Sequence, residues 1–303
     1  QKSDHYVSSL LYSVFIYHMV RKSSINKYEL DVRKGLQELF DKCRHNMKHS
    51  GDLLLCQQNG FIDYKGRPCV GLGDEGLNCM QQVNFISFNG IGNITDDNDY
   101  YKKEGNNFFY GNSEFEADIM RQHITYMNIW ENSYFLRVFT QVVNVLNGLN
   151  YNWNLTFKNL KPNQKSEQIR EGIIKLLDLS PNFQRILKDA YVGQIRNAVA
   201  HTQYHCIQGG ILYDNYSPSS KYSILQGLSY EEWEKKYVYS FFIFIGIFQM
   251  LKQITNEFYL PCSQLTFAKG VPIQIPLSDN KGYAETYLYP NQKGDIWRFT
   301  RII

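Results

Sequence analysis

The stretch QIRNAVAHTQYH, residues 194–205, decides how this chain is expected to fold and to act. It places an arginine, an asparagine, a histidine and a tyrosine among small and apolar residues. A helix built only for packing would carry leucine or alanine at some of these places, because each polar group taken out of water needs a partner. These polar side chains therefore indicate a functional face.

The polar residues gather on one side of the predicted helix. Counted at about 100° per residue, Asn197, His201 and Tyr204 share a band roughly 60° wide. The opposite side is apolar and carries Val192, Ile195 and Val199. Arg196 stands at the margin between the two faces, where its long side chain can swing toward His201. Residues 196–201 are called the motif below.

A second stretch, RHNMKH at residues 44–49, has the same spacing of arginine and histidine. Such a pair also arises by chance in a chain of this composition. The stretch is polar, has Lys48 beside its histidine and lacks an opposing apolar face. We interpret Arg44 and His49 as a solvated helix end.

Apolar residues recur at helical spacing along most of the chain. They predict helices at residues 4–20, 27–48, 114–149, 166–178, 181–205 and 229–258. Ser166 is a candidate cap, Pro181 occupies the first-turn position that proline favours, and Ser229 with Glu232 forms a capping box. Residues 50–112 have the texture of strands and loops, residues 206–215 predict a strand and turn that can pair with residues 222–225, and the chain after Pro261 is extended.

These changes in pattern along the chain predict three parts: an amino-terminal sensing, partner or accessory region at residues 1–112, a helical domain at residues 113–262, and an extended segment at residues 263–303.

The composition is typical of a globular protein, with 43% apolar and 20% charged residues. The net charge of +3 permits a polyanionic partner without requiring one. The six cysteines lack paired ligand spacing, which predicts reduced thiols and no zinc. The apolar run at residues 237–251 is shorter than the roughly 20 residues that a bilayer needs, which predicts a buried helix and no membrane contact.

The heptapeptide IRNAVAH, residues 195–201, resembles the signature of the HEPN superfamily, in which four to six residues separate an arginine from a histidine and a polar residue follows the arginine. The resemblance covers residues 114–258. It implies a mainly α fold, a HEPN-like helical bundle, here with a mixed α/β amino-terminal region and a small β-hairpin after the motif helix. In many members the motif is the active site of a metal-independent endoribonuclease, and two copies meet across a dimer. Toxin and antitoxin members of the superfamily have a tyrosine two places after the histidine. In this chain that position is Gln203.

The resemblance implies Arg196, Asn197 and His201 as catalytic residues, and their chemistry suits RNA cleavage. The 2′-hydroxyl of RNA is the nucleophile, so the protein has to move protons and stabilise charge on the phosphate. Histidine can move protons near neutral pH, and arginine can hold phosphate oxygens without losing its charge. Asn197 lies one turn before His201 and can hold either neighbour in place. The expected products are a 2′,3′-cyclic phosphate and a 5′-hydroxyl, with no cofactor.

Further residues are predicted to contact the substrate or to support the site: Glu131, Asn132, Tyr204, Arg137 and Arg170. Glu131 and Asn132 lie within an otherwise apolar helical stretch, where an acid needs a partner or a groove. For Glu131, Arg137 and Arg170 a solvated surface position is the alternative. His123 shows no companions at useful spacing and is assigned to the surface or the core.

The resemblance also implies an RNA substrate, a homodimer and a role in a toxin module or antiviral defence, with a regulatory protein or small-molecule activator. The reduced cysteines predict a cytoplasmic location. The alternative is a non-catalytic helical module that binds RNA or protein. Loss of RNA cleavage in a His201→Ala chain distinguishes the two hypotheses.

Overall fold

The structure, a computed structural model, describes residues 20–57, 81, 85–86, 94–95, 97, 99, 113–157, 160, 162–263, 271–277, 282–289 and 298–301. The helices in these ranges are α1 (Lys22–Asn46), α2 (Asp52–Gln57), α3 (Ser113–Glu131), α4 (Ser133–Leu146), α5 (Pro162–Ile169), α6 (Pro181–Ala190), α7 (Gly193–Ala200) and α8 (Tyr230–Ser263). The strands are β1 (Val20–Arg21), β2 (Ile94–Thr95), β3 (Tyr204–Ile207), β4 (Gly210–Tyr213), β5 (Gly227–Ser229), β6 (Val271–Pro276), β7 (Tyr283–Tyr289) and β8 (Arg298–Arg301). The predicted mainly α class is confirmed. Of the predicted helix at residues 4–20, residues 4–19 lie outside the described residues and Val20 belongs to β1.

Contacts divide the chain into two compact units. Unit 1 contains Gln1–Val32, Gln82–Glu131 and Ile186–Ile243, and unit 2 contains Arg33–Gln81, Asn132–Arg185 and Phe244–Ile303. Each unit is assembled from three segments that are separated along the chain. The boundaries predicted near residues 112 and 262 instead divide the chain into three continuous parts. The motif lies in unit 1.

The core of unit 1 forms where α3 packs beside α7 and the first part of α8. Trp130 and Trp233 are completely buried, and both indole N–H groups have partners. Trp130 donates to the Ser240 hydroxyl at 3.1 Å, and Trp233 donates to Gln122 Oε1 at 2.8 Å. These bonds let the two largest side chains be buried without leaving a polar atom unsatisfied.

A three-stranded antiparallel sheet in the order β3-β4-β5 follows the motif helix. Tyr204 pairs with Tyr213 and Ile207 with Gly210, so β3 and β4 form a hairpin whose turn contains Gly209 at φ +76°. The predicted small hairpin is therefore confirmed. Its third strand is Gly227–Ser229 and not residues 222–225 as expected. A separate parallel pair joins β1 to β2.

Helix α8 begins at the predicted capping box. The Ser229 N–H and hydroxyl both donate to Glu232 Oε2 at 2.9 Å, and the Glu232 N–H donates back to the Ser229 hydroxyl at 3.2 Å. This exchange satisfies N–H groups that have no partner within the first turn of a helix. The same bonds stabilise the charged form of the carboxylate and so lower the pKa of Glu232.

Unit 2 combines α4 and α2 with the antiparallel sheet β6-β7-β8. One apolar cluster of this unit consists of Leu54, Leu55, Tyr151, Ile273 and Ile275, with Trp153 and Ala284 at its edge. Ile273 and Ile275 are buried on either side of the half-buried Gln274, as expected for a strand with one buried face. Leu54 and Leu55 belong to a short helix, so the prediction of only strands and loops from residue 50 is wrong at this point.

Two further helix boundaries differ from the prediction. The expected helix at residues 114–149 is interrupted at Asn132, whose Oδ1 accepts from the Phe135 N–H at 2.8 Å and caps α4. Asparagine competes with the helix backbone in this way, which makes it a strong N-cap. The expected helix at residues 166–178 begins earlier, at Pro162, and passes through a π-helical turn, Arg170–Ile174. Ser166 is therefore buried within a helix and does not cap it.

Helix α8 was predicted to be buried along its apolar part. Among the described residues, one segment, Tyr230–Glu257, is long and apolar enough to cross a membrane, and 56% of its most apolar window is buried within the protein. Burial of this kind also occurs in the core helix of a protein that spans no membrane.

Candidate functional site

The motif lies on α7, a helix of two turns that is separated from α6 by Tyr191 and Val192. The prediction of one helix over residues 181–205 is therefore wrong. At the break, the buried Tyr126 hydroxyl on α3 donates to the Ala190 carbonyl at 3.0 Å and accepts from the Val192 N–H at 2.8 Å. One side chain thus satisfies two backbone groups that a continuous helix would have paired internally.

Arg196 points into unit 1 and is 1% exposed. Its Nη1 lies 2.7 Å from Glu131 Oε1, an ion-pair distance without the alignment of a hydrogen bond. Its Nη2 donates to Asn197 Oδ1 at 2.7 Å. The expected position at the margin between the two faces is wrong, because the guanidinium is buried and lies beside Glu131 and Asn197.

Glu131 is the last residue of α3, and its side chain is 35% exposed. The ion pair therefore joins a buried cation to an anion that still reaches solvent. A buried charge needs such a partner, since an isolated guanidinium in the interior is strongly unfavourable. The pair also ties α7 to α3, so Glu131, Arg196 and Asn197 form one connected group. This group is called the arginine cluster below.

His201 lies directly after α7 and is exposed. The Thr202 N–H donates to the Val199 carbonyl at 3.3 Å and the Gln203 N–H donates to the Ala198 carbonyl at 2.8 Å, which is the bonding pattern of a Schellman helix end. Thr202 has φ +55°, a conformation that a β-branched residue rarely adopts. Within the described part of the chain, no hydrogen bond or ion pair occupies the imidazole of His201.

Tyr204 lies on β3 and not on the motif helix as predicted, because α7 ends at Ala200. Its ring stacks on the imidazole of His123 with centroids 4.4 Å apart, and Trp233 stacks on the other side at 3.8 Å. The His123 ring nitrogens meet the Ile119 carbonyl at 2.8 Å and the Tyr213 hydroxyl at 3.2 Å. Since a carbonyl only accepts, Nδ1 donates to it, and Nε2 of the neutral ring accepts from the tyrosine.

Burial lowers the pKa of His123 from 6.5 to about 3, so this histidine is neutral at physiological pH. Of the two places expected for it, the structure selects the core. Its aromatic partners come from residues 80 to 110 positions later in the chain, so local spacing gave no signal of them. The neutral ring makes two hydrogen bonds and stacks on Tyr204, so it stabilises β3, the strand that follows the motif.

Three predicted residues belong to unit 2, whereas the arginine cluster and His201 belong to unit 1. Asn132 is buried and caps α4, so its amide oxygen is engaged by the backbone. Arg137 is half-buried and hydrogen-bonds the Tyr151 hydroxyl. Arg170 lies in the π-helical turn and is half-buried. The structure therefore brings together Arg196, Asn197 and Glu131 and gives the other three their own surroundings.

Over the described residues, no group of three or more His, Cys, Asp or Glu side chains is arranged to hold a metal ion. Cys43 and Cys56 are buried free thiols, and Cys206 is a half-buried one. Comparison with protein-family models, with curated proteins and with solved structures finds no match to this chain. The resemblance to the HEPN superfamily stands on the motif and remains a prediction.

Proposed function

We propose that this chain is a metal-independent endoribonuclease of HEPN type. The observation that supports this proposal is an exposed histidine at the end of a short helix. The arginine and asparagine of the same helix are hydrogen-bonded to each other, and the arginine is buried beside a glutamate. His201 meets solvent, while Arg196 is held by Glu131 and by Asn197. This arrangement offers a proton-transfer group on a rigid support, which is what a general acid–base site requires.

In the proposed reaction His201 moves protons during attack of the 2′-hydroxyl on the adjacent phosphorus. The P–O2′ bond forms, the P–O5′ bond breaks, the proton leaves the 2′-oxygen, and another proton reaches the departing 5′-oxygen. The products are a 2′,3′-cyclic phosphate and a 5′-hydroxyl. Histidine suits both proton transfers because its ordinary pKa lies near neutrality.

Arg196 is proposed to stabilise the phosphate once RNA is bound. Its guanidinium pairs with a carboxylate in the free protein, and Glu131 is partly exposed. A phosphate oxygen can therefore replace the carboxylate, because both anions fit the planar fork of donors. Asn197 keeps Nη2 in place through its amide oxygen during this exchange.

Attack and departure call for a base and an acid, and each motif offers one exposed histidine. A homodimer that joins two motifs supplies both, as the resemblance implies. We accordingly propose a homodimer that acts on RNA in the cytoplasm, in a toxin or antiviral role, under the control of a regulatory protein or small-molecule activator. A HEPN-like arrangement of residues 114–258 belongs to the same proposal.

The test is cleavage of labelled single-stranded RNA in EDTA by the wild type, His201→Ala and His49→Ala. We expect the wild type and His49→Ala to yield cyclic-phosphate ends and His201→Ala to lose at least about a hundredfold in rate. His49 is the matched control because it closes the other Arg-x4-His pair. Equal cleavage by all three proteins would contradict the role of His201, as would activity that disappears with EDTA. Analytical ultracentrifugation checks the dimer.

A non-catalytic helical module that binds RNA or protein is the second candidate, and the burial of Arg196 favours it. The guanidinium already has its partners within one chain, which is sufficient to explain why it is present. Intact RNA after incubation with the folded wild type, with and without candidate activators, would select this module. Growth arrest on expression that disappears with His201→Ala would select the enzyme.

A further inference from the structure

The segment DNYSPSSKYSILQ, residues 214–226, connects β4 to β5 and is called the tyrosine loop. It is fastened to the motif helix by Gln194, a residue of α7 that is 3% exposed. Gln194 Nε2 donates to Asn215 Oδ1 at 3.1 Å and to the Leu225 carbonyl at 2.6 Å, while Gln194 Oε1 accepts from the Leu225 N–H at 2.8 Å. The Asn215 amide donates to the Gln194 carbonyl at 2.9 Å. One buried side chain thus grips both ends of the loop.

A second attachment joins the loop to the residues that follow His201. The Asp214 N–H donates to the Gln203 carbonyl at 2.9 Å. Within the loop the Ser217 N–H donates to the Ser223 carbonyl at 2.8 Å and the Tyr222 N–H donates to the Ser220 hydroxyl at 3.1 Å. The loop is therefore folded on itself and carried by the same short helix as the motif.

This fixed loop presents aromatic and apolar side chains to solvent. Tyr216 is 41% exposed, Tyr222 is 55% exposed and Ile224 is 67% exposed. The Lys221 ammonium lies 5.5 Å from the centre of the Tyr222 ring. Asp214 is the only acidic residue of the loop, and it lies at the base beside His205 at 3.3 Å. The exposed part consequently carries a positive charge and no negative one.

We propose that the tyrosine loop binds single-stranded RNA by stacking bases on Tyr216 and Tyr222, and that it delivers the strand to His201. This inference rests on the proposed ribonuclease function. Stacking on aromatic rings is the usual way proteins hold unpaired bases, and it tolerates any base because each has a π-face. Lys221 meets the phosphate that joins neighbouring nucleotides. Because the loop is already folded, little conformational entropy is lost when RNA binds.

The test is binding of a fluorescent single-stranded RNA to the full chain carrying His201→Ala, which prevents cleavage during the measurement. In this background, Tyr216→Ala and Tyr222→Ala are each expected to weaken binding about tenfold. The corresponding phenylalanine substitutions keep the ring and should stay within about twofold of the parent. Tyr283→Ala, a change at a half-exposed tyrosine of unit 2, is the matched control and should bind like the parent.

Equal binding by the alanine variants and the parent would overturn the proposal. So would absence of RNA binding by the parent, or equal losses in the alanine and phenylalanine variants.

Failure of the ribonuclease proposal looks different from failure of this one. If the parent binds RNA through the two rings but the wild type never cleaves it, the loop proposal stands and the enzyme proposal falls. If the wild type cleaves RNA and Tyr216→Ala and Tyr222→Ala, each made in the chain that keeps His201, retain its KM, the enzyme proposal stands and the loop proposal falls.

Discussion

The chain contains two Arg-x4-His pairs, and the structure gives them opposite environments. Arg44 has a side chain 32% exposed and pairs with Asp41 and Glu257, both at 3.0 Å and both half-exposed. Arg196 has a side chain 2% exposed. The histidines are reversed, since His201 is exposed, whereas Nδ1 of His49 is buried and its ring lies 5.5 Å from that of Tyr283.

The contrast arises from where each helix ends. Helix α1 ends at Asn46, so His49 lies three residues beyond the last residue of the helix. Helix α7 continues to Ala200, and His201 is its C-cap. The interpretation of residues 44–49 as a solvated helix end holds only in part, because Arg44 and His49 are both half-buried and Nδ1 of His49 is buried. Equal spacing in sequence therefore does not give equal geometry.

The two arginines can be compared directly by removing each in turn. Arg196→Ala leaves Glu131 without its cation and opens a cavity beside Asn197, which we expect to lower the free energy of unfolding by about 3 kcal/mol. Arg44→Ala breaks only solvent-exposed pairs and should cost less than about 1 kcal/mol. Urea denaturation followed by circular dichroism measures both. Similar losses in the two variants would contradict the different roles assigned to the pairs.

A double-mutant cycle sharpens the first measurement. Glu131→Gln alone should also destabilise the chain, because it removes a carboxylate charge that pairs with the buried guanidinium. Combined with Arg196→Ala, the loss should be smaller than the sum of the two single losses. Additive losses would show that Glu131 and Arg196 do not stabilise each other.

The histidine side of the comparison is tested by pH. The pKa of His123 is about 3 in the folded chain and 6.5 in its ordinary state, so the unfolded chain binds a proton that the folded chain refuses. The free energy of unfolding therefore has its full value, as far as this residue is concerned, above pH 6.5. It falls as the pH is lowered from 6.5 toward 3, because protonation of His123 favours the unfolded chain. Between pH 7 and pH 4 this residue should remove about 3 kcal/mol of stability.

His123→Phe isolates that contribution, because phenylalanine keeps the stack between Tyr204 and Trp233 but cannot be protonated. The variant should lose less stability on acidification than the wild type. His201→Phe, the same substitution at an exposed histidine, is the matched control. Identical acid dependence in the wild type and His123→Phe would show that the buried ring does not govern it.

Local sequence signals predicted several boundaries of the fold. Pro181 begins α6 as expected, and Ser229 and Glu232 form the capping box of α8, because both devices operate within one turn of backbone. The hairpin after the motif follows from the glycines at its turn. Each of these features is fixed by residues close to one another in the chain.

Features that depend on distant residues could not be predicted. The break between α6 and α7 is held by Tyr126, 66 residues before Val192. The inward direction of Arg196 depends on Glu131, and the stacking of His123 depends on Trp233, 110 positions later. Glu131 was singled out because an acid in an apolar stretch needs a partner, but no spacing rule identified which cation it would meet.

The smallest expected effect concerns the residue after His201. Thr202 has φ +55° at the end of α7, where glycine is favoured because a side chain with a branched Cβ is strained there. Helix α4, by contrast, is followed by Gly148 at φ +62°. We expect Thr202→Gly to stabilise the chain by about 1 kcal/mol, with release of strain opposed by the added freedom of the unfolded chain. Gly148→Thr, the reverse change, should destabilise the chain by a similar amount. The measurable result is a higher urea midpoint for Thr202→Gly and a lower one for Gly148→Thr.

The rate of RNA cleavage shows whether the strained turn also serves the site. If Thr202→Gly lowers this rate while raising stability, the turn holds His201 in position; an unchanged rate limits its role to ending the helix.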